Sequence, residues 1–105
     1  MGRYISSSGS PLTTYRETAT AITAQANDRI VCTTGGFTVT LPASPLVNDT
    51  VQIIDATGVF GSNNVTVGRN GNEIQNIAED LTLNINNTAV TLVFTGATYG
   101  WLIVR

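Results

Sequence analysis

The sequence contains no histidine and no lysine, and a single cysteine, Cys32, among its 105 residues. The missing histidine removes the commonest general base and metal ligand, and with it the Ser–His and Cys–His nucleophile pairs. The missing lysine rules out Schiff-base chemistry and a Walker-type phosphate loop. One cysteine cannot close an intrachain disulfide, so Cys32 is expected as a buried structural thiol. Charge is scarce too: charged residues make up 11%, against roughly 25% in ordinary globular proteins. The basic residues are Arg3, Arg16, Arg29, Arg69 and Arg105, scattered along the chain. No patch among them would neutralise a run of phosphates, so nucleic acid is not an expected partner. No apolar run approaches the roughly 18 residues of a membrane span. The opening MGRYISSSGS also lacks the apolar core of a secretory signal.

What is present points to strands. Hydrophobic residues reach 42%, too many for disorder at so low a charge. The polar positions are filled by Thr, Asn and Ser. Thr is β-branched and suits the solvent face of a strand, while Asn and Gly tolerate the positive φ of tight turns. At this length the chain is one domain.

Residues 1–17 read as an extended arm, Ser- and Gly-rich and without periodicity. Its large side chains, Arg3, Tyr4, Ile5, Leu12 and Tyr15, are too sparse for a core and are expected to anchor on another surface. Residues 18–105 alternate with a period near two. TATAITA, RIVCT, FTVTL, TVQIID, NVTV, NEIQN, LTLNI, AVTLVFT and GWLIV read as strands. Turn signals separate them at Asn27-Asp28, Gly35-Gly36, Asn70-Gly71, Asn86-Asn87 and Gly96 to Gly100. Pro42 and Pro45 end FTVTL, because proline donates nothing to a ladder. Eight or nine short strands spaced this way predict an all-β domain, an antiparallel sandwich or small barrel. No repeat of solenoid length is visible.

Alternation fails in three places. Ile53-Ile54, Leu92-Val93-Phe94 and Leu102-Ile103-Val104 are apolar at consecutive positions, and consecutive strand residues point to opposite faces. Both faces of these strands are therefore expected to be covered. Either another copy of the chain covers the second face or the protein's own loops do. The first reading makes Ile53, Ile54, Leu92, Phe94, Leu102 and Val104 a combined core and oligomer interface.

The acids available for catalysis are Glu17, Asp28, Asp49, Asp55, Glu73, Glu79 and Asp80. No pair is spaced to face across a cleft as a glycosidase requires. Glu79 and Asp80 are adjacent, so their side chains diverge, and they read as solvated turn carboxylates. A calcium loop would need a denser Asp/Asn/Gly spacing than Asp49 or Asp55 offers; Asp49 reads instead as a turn residue bonded to its own backbone. No metal, cofactor or catalytic residue is expected. A sugar site is the rival reading: Tyr99 and Trp101 could present aromatic faces to a glycan beside loop asparagines. The opposing reading puts Trp101 in the core against Phe94 or Leu92.

The ordered series ITAQANDRIVCTTGGFTVTLP, NDTVQIID, NNVTV, NGNEI, AEDLTLNI, VTLVFTG and GWLIV resembles a module widespread in bacteriophage tail-fibre and other virion-surface proteins. The resemblance runs from about Thr18 to Val104. It implies an all-β domain that commonly assembles as a homotrimer, and it carries no catalytic residue across. A short arm followed directly by the module is expected for a stand-alone head-decoration (cement) protein. Such a protein sits on the virion surface and binds capsid or tail proteins. A tail-fibre or knob component binding a host glycan is the alternative. In that setting the M-G-x-x-x-S start and the N-x-T sequons at Asn48, Asn64 and Asn86 carry no lipid or glycan.

Overall fold

Most of the stretches read as strands are strands in the structure, a computed structural model that describes residues 14–104, though TATAITA is one only at Thr18 and Ile22–Thr23. The strands are β1 (Thr14–Thr18), β2 (Ile22–Thr23), β3 (Asp28–Cys32), β4 (Thr38–Thr40) and β5 (Thr50–Asp55), then β6 (Val65–Gly68), β7 (Leu81–Leu83), β8 (Ala89–Phe94) and β9 (Trp101–Val104). There is no helix among the described residues. The arm residues Arg3, Tyr4, Ile5 and Leu12 lie outside the described residues.

The chain alternates between two sheets as it winds. One sheet has the order β1-β3-β5-β8-β9 and the other β2-β4-β6-β7. From β1 to β6 each strand is laid parallel to its predecessor in the same sheet: β1 with β3, β3 with β5, β2 with β4, β4 with β6. The last three strands reverse direction, β7 against β6, β8 against β5 and β9 against β8. Both sheets are thus mixed, and neither closes on itself. This corrects the expectation of antiparallel strands throughout. Period-two alternation marks a strand without giving its partner's direction. The winding also has no fixed step. Thr14 pairs with Asp28, but Asp28 pairs much further on, with Val51. Turns of such unequal length leave no sequence period to find.

Two further differences concern boundaries. Thr14 to Glu17, assigned to the arm by sequence, pair with β3 as the edge strand of the larger sheet. NEIQN is not a strand. The turn before it has positive φ at both Asn70 and Gly71, the geometry of a type I′ turn. The chain then folds back through a bridge between Ile74 and Ile77. Its backbone lies along β9 instead: Trp101 N–H donates to Glu73 O, and Gln75 N–H to Trp101 O, both at 2.8 Å. Gly100 allows this approach, since a Cβ there would strike the Glu73 carbonyl.

One apolar core draws on both sheets. Ile30, Val51, Ile53 and Leu92 from the larger sheet share it with Val39, Val65, Val67 and Leu83 from the smaller one. Phe60, from the loop between β5 and β6, and Leu41, just past β4, are also fully buried there. Side chains that large contribute about 1.5–3 kcal/mol each when taken wholly out of water.

Candidate docking surface on the five-stranded sheet

Alternation along each strand fixes which side chains face the core and which face away. In β3, Asp28, Ile30 and Cys32 are buried while Arg29 and Val31 are partly exposed. In β5, Val51, Ile53 and Asp55 are buried while Gln52 and Ile54 are partly exposed. β8 repeats the pattern, with Val90, Leu92 and Phe94 inside and Thr91 and Val93 outside. In β9, Trp101 is buried and Ile103 packs on the core. Leu102 and Val104 therefore point the other way, and Val104 is 51% exposed.

The outward face is ordered in rows by strand register. One row runs Tyr15, Arg29, Gln52, Thr91, Val104 across all five strands. A second runs Glu17, Val31, Ile54, Ala89, and a third Thr50, Val93, Leu102, of which Thr50 is itself buried. The first row is polar at its centre and internally bonded. Arg29 Nε donates to Gln52 Oε1 at 2.6 Å, and Gln52 Nε2 donates to Thr91 Oγ1 at 3.0 Å. The flanking rows are largely apolar, and no strand among the described residues lies over them. Tyr15, at the edge, is 62% exposed, and its hydroxyl donates to Glu17 Oε2 at 3.0 Å.

The apolar residues picked out by sequence are therefore divided by the structure. Ile53, Leu92 and Phe94 belong to the core between the sheets, whereas Ile54, Leu102 and Val104 stand on the outward face. Arg29, Gln52 and Thr91 escaped notice, although simple alternation from Val31, Ile54 and Val93 puts them on that face.

The buried carboxylates act as structural fasteners. Asp55, 3% exposed, closes the loop after β5. Its Oδ1 accepts the N–H groups of Thr57, Gly58 and Val59 at 3.3, 2.9 and 3.2 Å. Its Oδ2 accepts those of Phe60 and Asn87 at 3.0 and 2.9 Å. Burial raises the pKa of this carboxyl, but the donors from Phe60, Asn87, Val59 and Gly58 outweigh it and hold the value below the ordinary one. With five donors on two oxygens, no lone pair is left for a cation. Asp28, 1% exposed, takes Arg16 Nη1 at 2.7 Å and the Gln25 N–H at 2.8 Å, tying β1 to β3 from the core side. Asp49 accepts the Leu46 N–H at 2.8 Å, the turn role expected for it. Asp80 accepts the Arg69 N–H at 2.9 Å from an exposed position. Among the described residues no three acidic or cysteine side chains gather as a metal site.

The aromatic pair offered for a glycan is split as well. Trp101 is wholly buried and stacks at a tilt on Phe94. A ring with no exposed face cannot meet a sugar, so Trp101 is withdrawn from that role. Tyr99 remains on the surface, 53% exposed. A cleft of about 220 Å³ lies between β7 and the β8–β9 pair, lined by Leu81, Leu83, Ile85, Val90 and Ile103 among others. No family model matches this chain, and no curated protein matches it.

Proposed function

We propose that this protein is a non-enzymatic structural component of a bacteriophage particle that assembles with copies of itself. The reading is a homotrimeric head-decoration protein on the virion surface, binding and stabilising the capsid exterior. The observation that carries it is the outward face of the five-stranded sheet. Val31, Ile54, Val93, Leu102 and Val104 crowd one side of a sheet whose other side already fills the core. A face of that kind favours a partner surface, and a second copy of the chain is the simplest supplier. In this reading the two sheets are the layers of a sandwich and the outward layer meets its neighbours. The arm, through Arg3, Tyr4, Ile5 and Leu12, docks onto the capsid. The resemblance of the strand series to virion-surface modules supports the setting.

Light scattering tests the assembly, and a monomer at micromolar concentration would end the proposal. Attachment is tested separately by deleting residues 1–13, which leaves β1 whole. The shortened protein is expected to keep its oligomeric mass and to lose binding to particles stripped of the native protein. The second reading, a tail-fibre or knob component holding a host-surface glycan, rests on the exposed Tyr99. A glycan-array signal lost in Tyr99→Ala, with the fold intact, would favour it.

A further inference from the structure

Resting on the reading that copies meet through the outward face, we infer that Arg29 of one copy pairs with Glu17 of its neighbour, and that this pair fixes partner and register. Of the described residues that point outward from the five-stranded sheet, only these two are charged. They sit on adjacent strands, yet they do not bond to each other: the ion pair among the described residues is Arg16–Asp28, on the core side. Arg29 turns its Nε away from β1, onto Gln52, and Glu17 takes the hydroxyl of Tyr15.

Contact between copies changes what Arg29 needs. A guanidinium carries five N–H donors in a fixed fork, and the Gln52 bond occupies one. Covering Val31, Ile54, Val93 and Leu102 strips water from Arg29 as well, because its row lies between theirs. A desolvated, uncompensated cation is strongly unfavourable, whereas one with a carboxylate in its fork is not. Glu17 is the carboxylate that the same face supplies, and it is exposed at the sheet edge where a neighbour can reach it. One positive and one negative group make the face neutral in sum and complementary to itself. Copies then meet without like-charge repulsion.

The row arrangement adds register. Glu17 shares its row with Val31 and Ile54, so a contact displaced sideways by one or two strands sets Arg29 against Val31 or Ile54 of the neighbour. That leaves its donors empty, and a misfit of this kind is how a single buried polar position selects one packing over others. The apolar rows hold the copies together, and Arg29 with Glu17 decides how they sit.

A charge exchange tests this on the full-length chain. Oligomeric mass is measured against concentration by light scattering for the wild type, Arg29→Glu, Glu17→Arg and the double exchange, with circular dichroism to check the fold. Each single exchange is expected to weaken association by about tenfold or more, and the double exchange to recover it. Glu17→Arg alters an exposed edge position, so its result stands even if the change at Arg29 disturbs the sheet. An oligomeric wild type whose single exchanges associate as before, or whose double exchange fails to recover, overturns the pairing and leaves the assembly reading intact. A monomeric wild type overturns the assembly reading itself.

Discussion

The ring of Trp101 lies against that of Phe94 with centroids 5.3 Å apart and planes inclined at 59°. The two face each other across the β8–β9 pair in direct register, and both are buried. Trp101 is the chain's single tryptophan, so its fluorescence reports this packing alone. Native emission is expected to be blue-shifted and insensitive to iodide, and to shift red on unfolding. Trp101→Ala is expected to cost about 3–5 kcal/mol, read from urea denaturation. Emission that iodide quenches freely in the folded protein would contradict the buried placement.

Asp55 ties stability to pH. Its folded pKa lies below the ordinary 3.8, so its contribution is complete above that value and is lost as pH falls through the folded one. Acid is therefore expected to weaken the wild type more than Asp55→Asn. At neutral pH that variant should be less stable by about 3 kcal/mol, since a neutral amide accepts these bonds less strongly. Equal acid sensitivity in the two proteins would show that Asp55 is not the group responsible.

Cys32 should be inert until the fold opens. Burial, with a smaller effect from the neighbouring Asp55 carboxylate, pushes its thiol up to about 11, and the side chain has no exposed surface. Since the thiolate is the reactive form, labelling by a thiol reagent at pH 8 is expected to follow the unfolding curve. Rapid labelling under native conditions would rule that placement out.

Ile53 and Ile54 are chemically identical neighbours with opposite expected roles. Ile53→Ala should lower monomer stability by about 2–5 kcal/mol, as a cavity in a close-packed core does. Ile54→Asp should leave the subunit folded and weaken association instead. Thermal denaturation at several protein concentrations separates the two effects. If Ile54→Asp lowers subunit stability as Ile53→Ala does while leaving oligomeric mass unchanged, Ile54 does not stand on a contact face.

Much of this fold was legible in the sequence because strands and tight turns leave short-range marks. TVQIID, LTL, AVTLVF and WLIV are strands much as their β-branched and apolar content suggests. Asn27, Asn48, Asn70 and Asn87 all take positive φ, as their places between strands imply. Partner choice was not legible, because Thr14 finding Asp28 and Asp28 finding Val51 depends on the whole winding and on no local signal. The double-sided apolar stretches did identify residues on two faces, but their assignment needed the register. Asp55 had a readable cue, an acid at a strand end before Thr57-Gly58, the setting of an Asx-type turn. The further donors from Phe60 and Asn87 arrive through the fold and could not be foreseen.

The alternation of successive strands between sheets decides where folding can begin. Among the described residues, only β6–β7 and β8–β9 join strands that are also next to each other in the chain. Every other ladder must wait for a loop to close over an intervening strand, which makes such topologies slow to nucleate. Both hairpins come after β5 in the chain, and the second is complete only once Trp101 to Val104 have been made, so the parallel ladders of β1 to β5 have no local hairpin to start from. A chain truncated before those residues is left with β8 as a bare edge and its apolar surfaces open to aggregation.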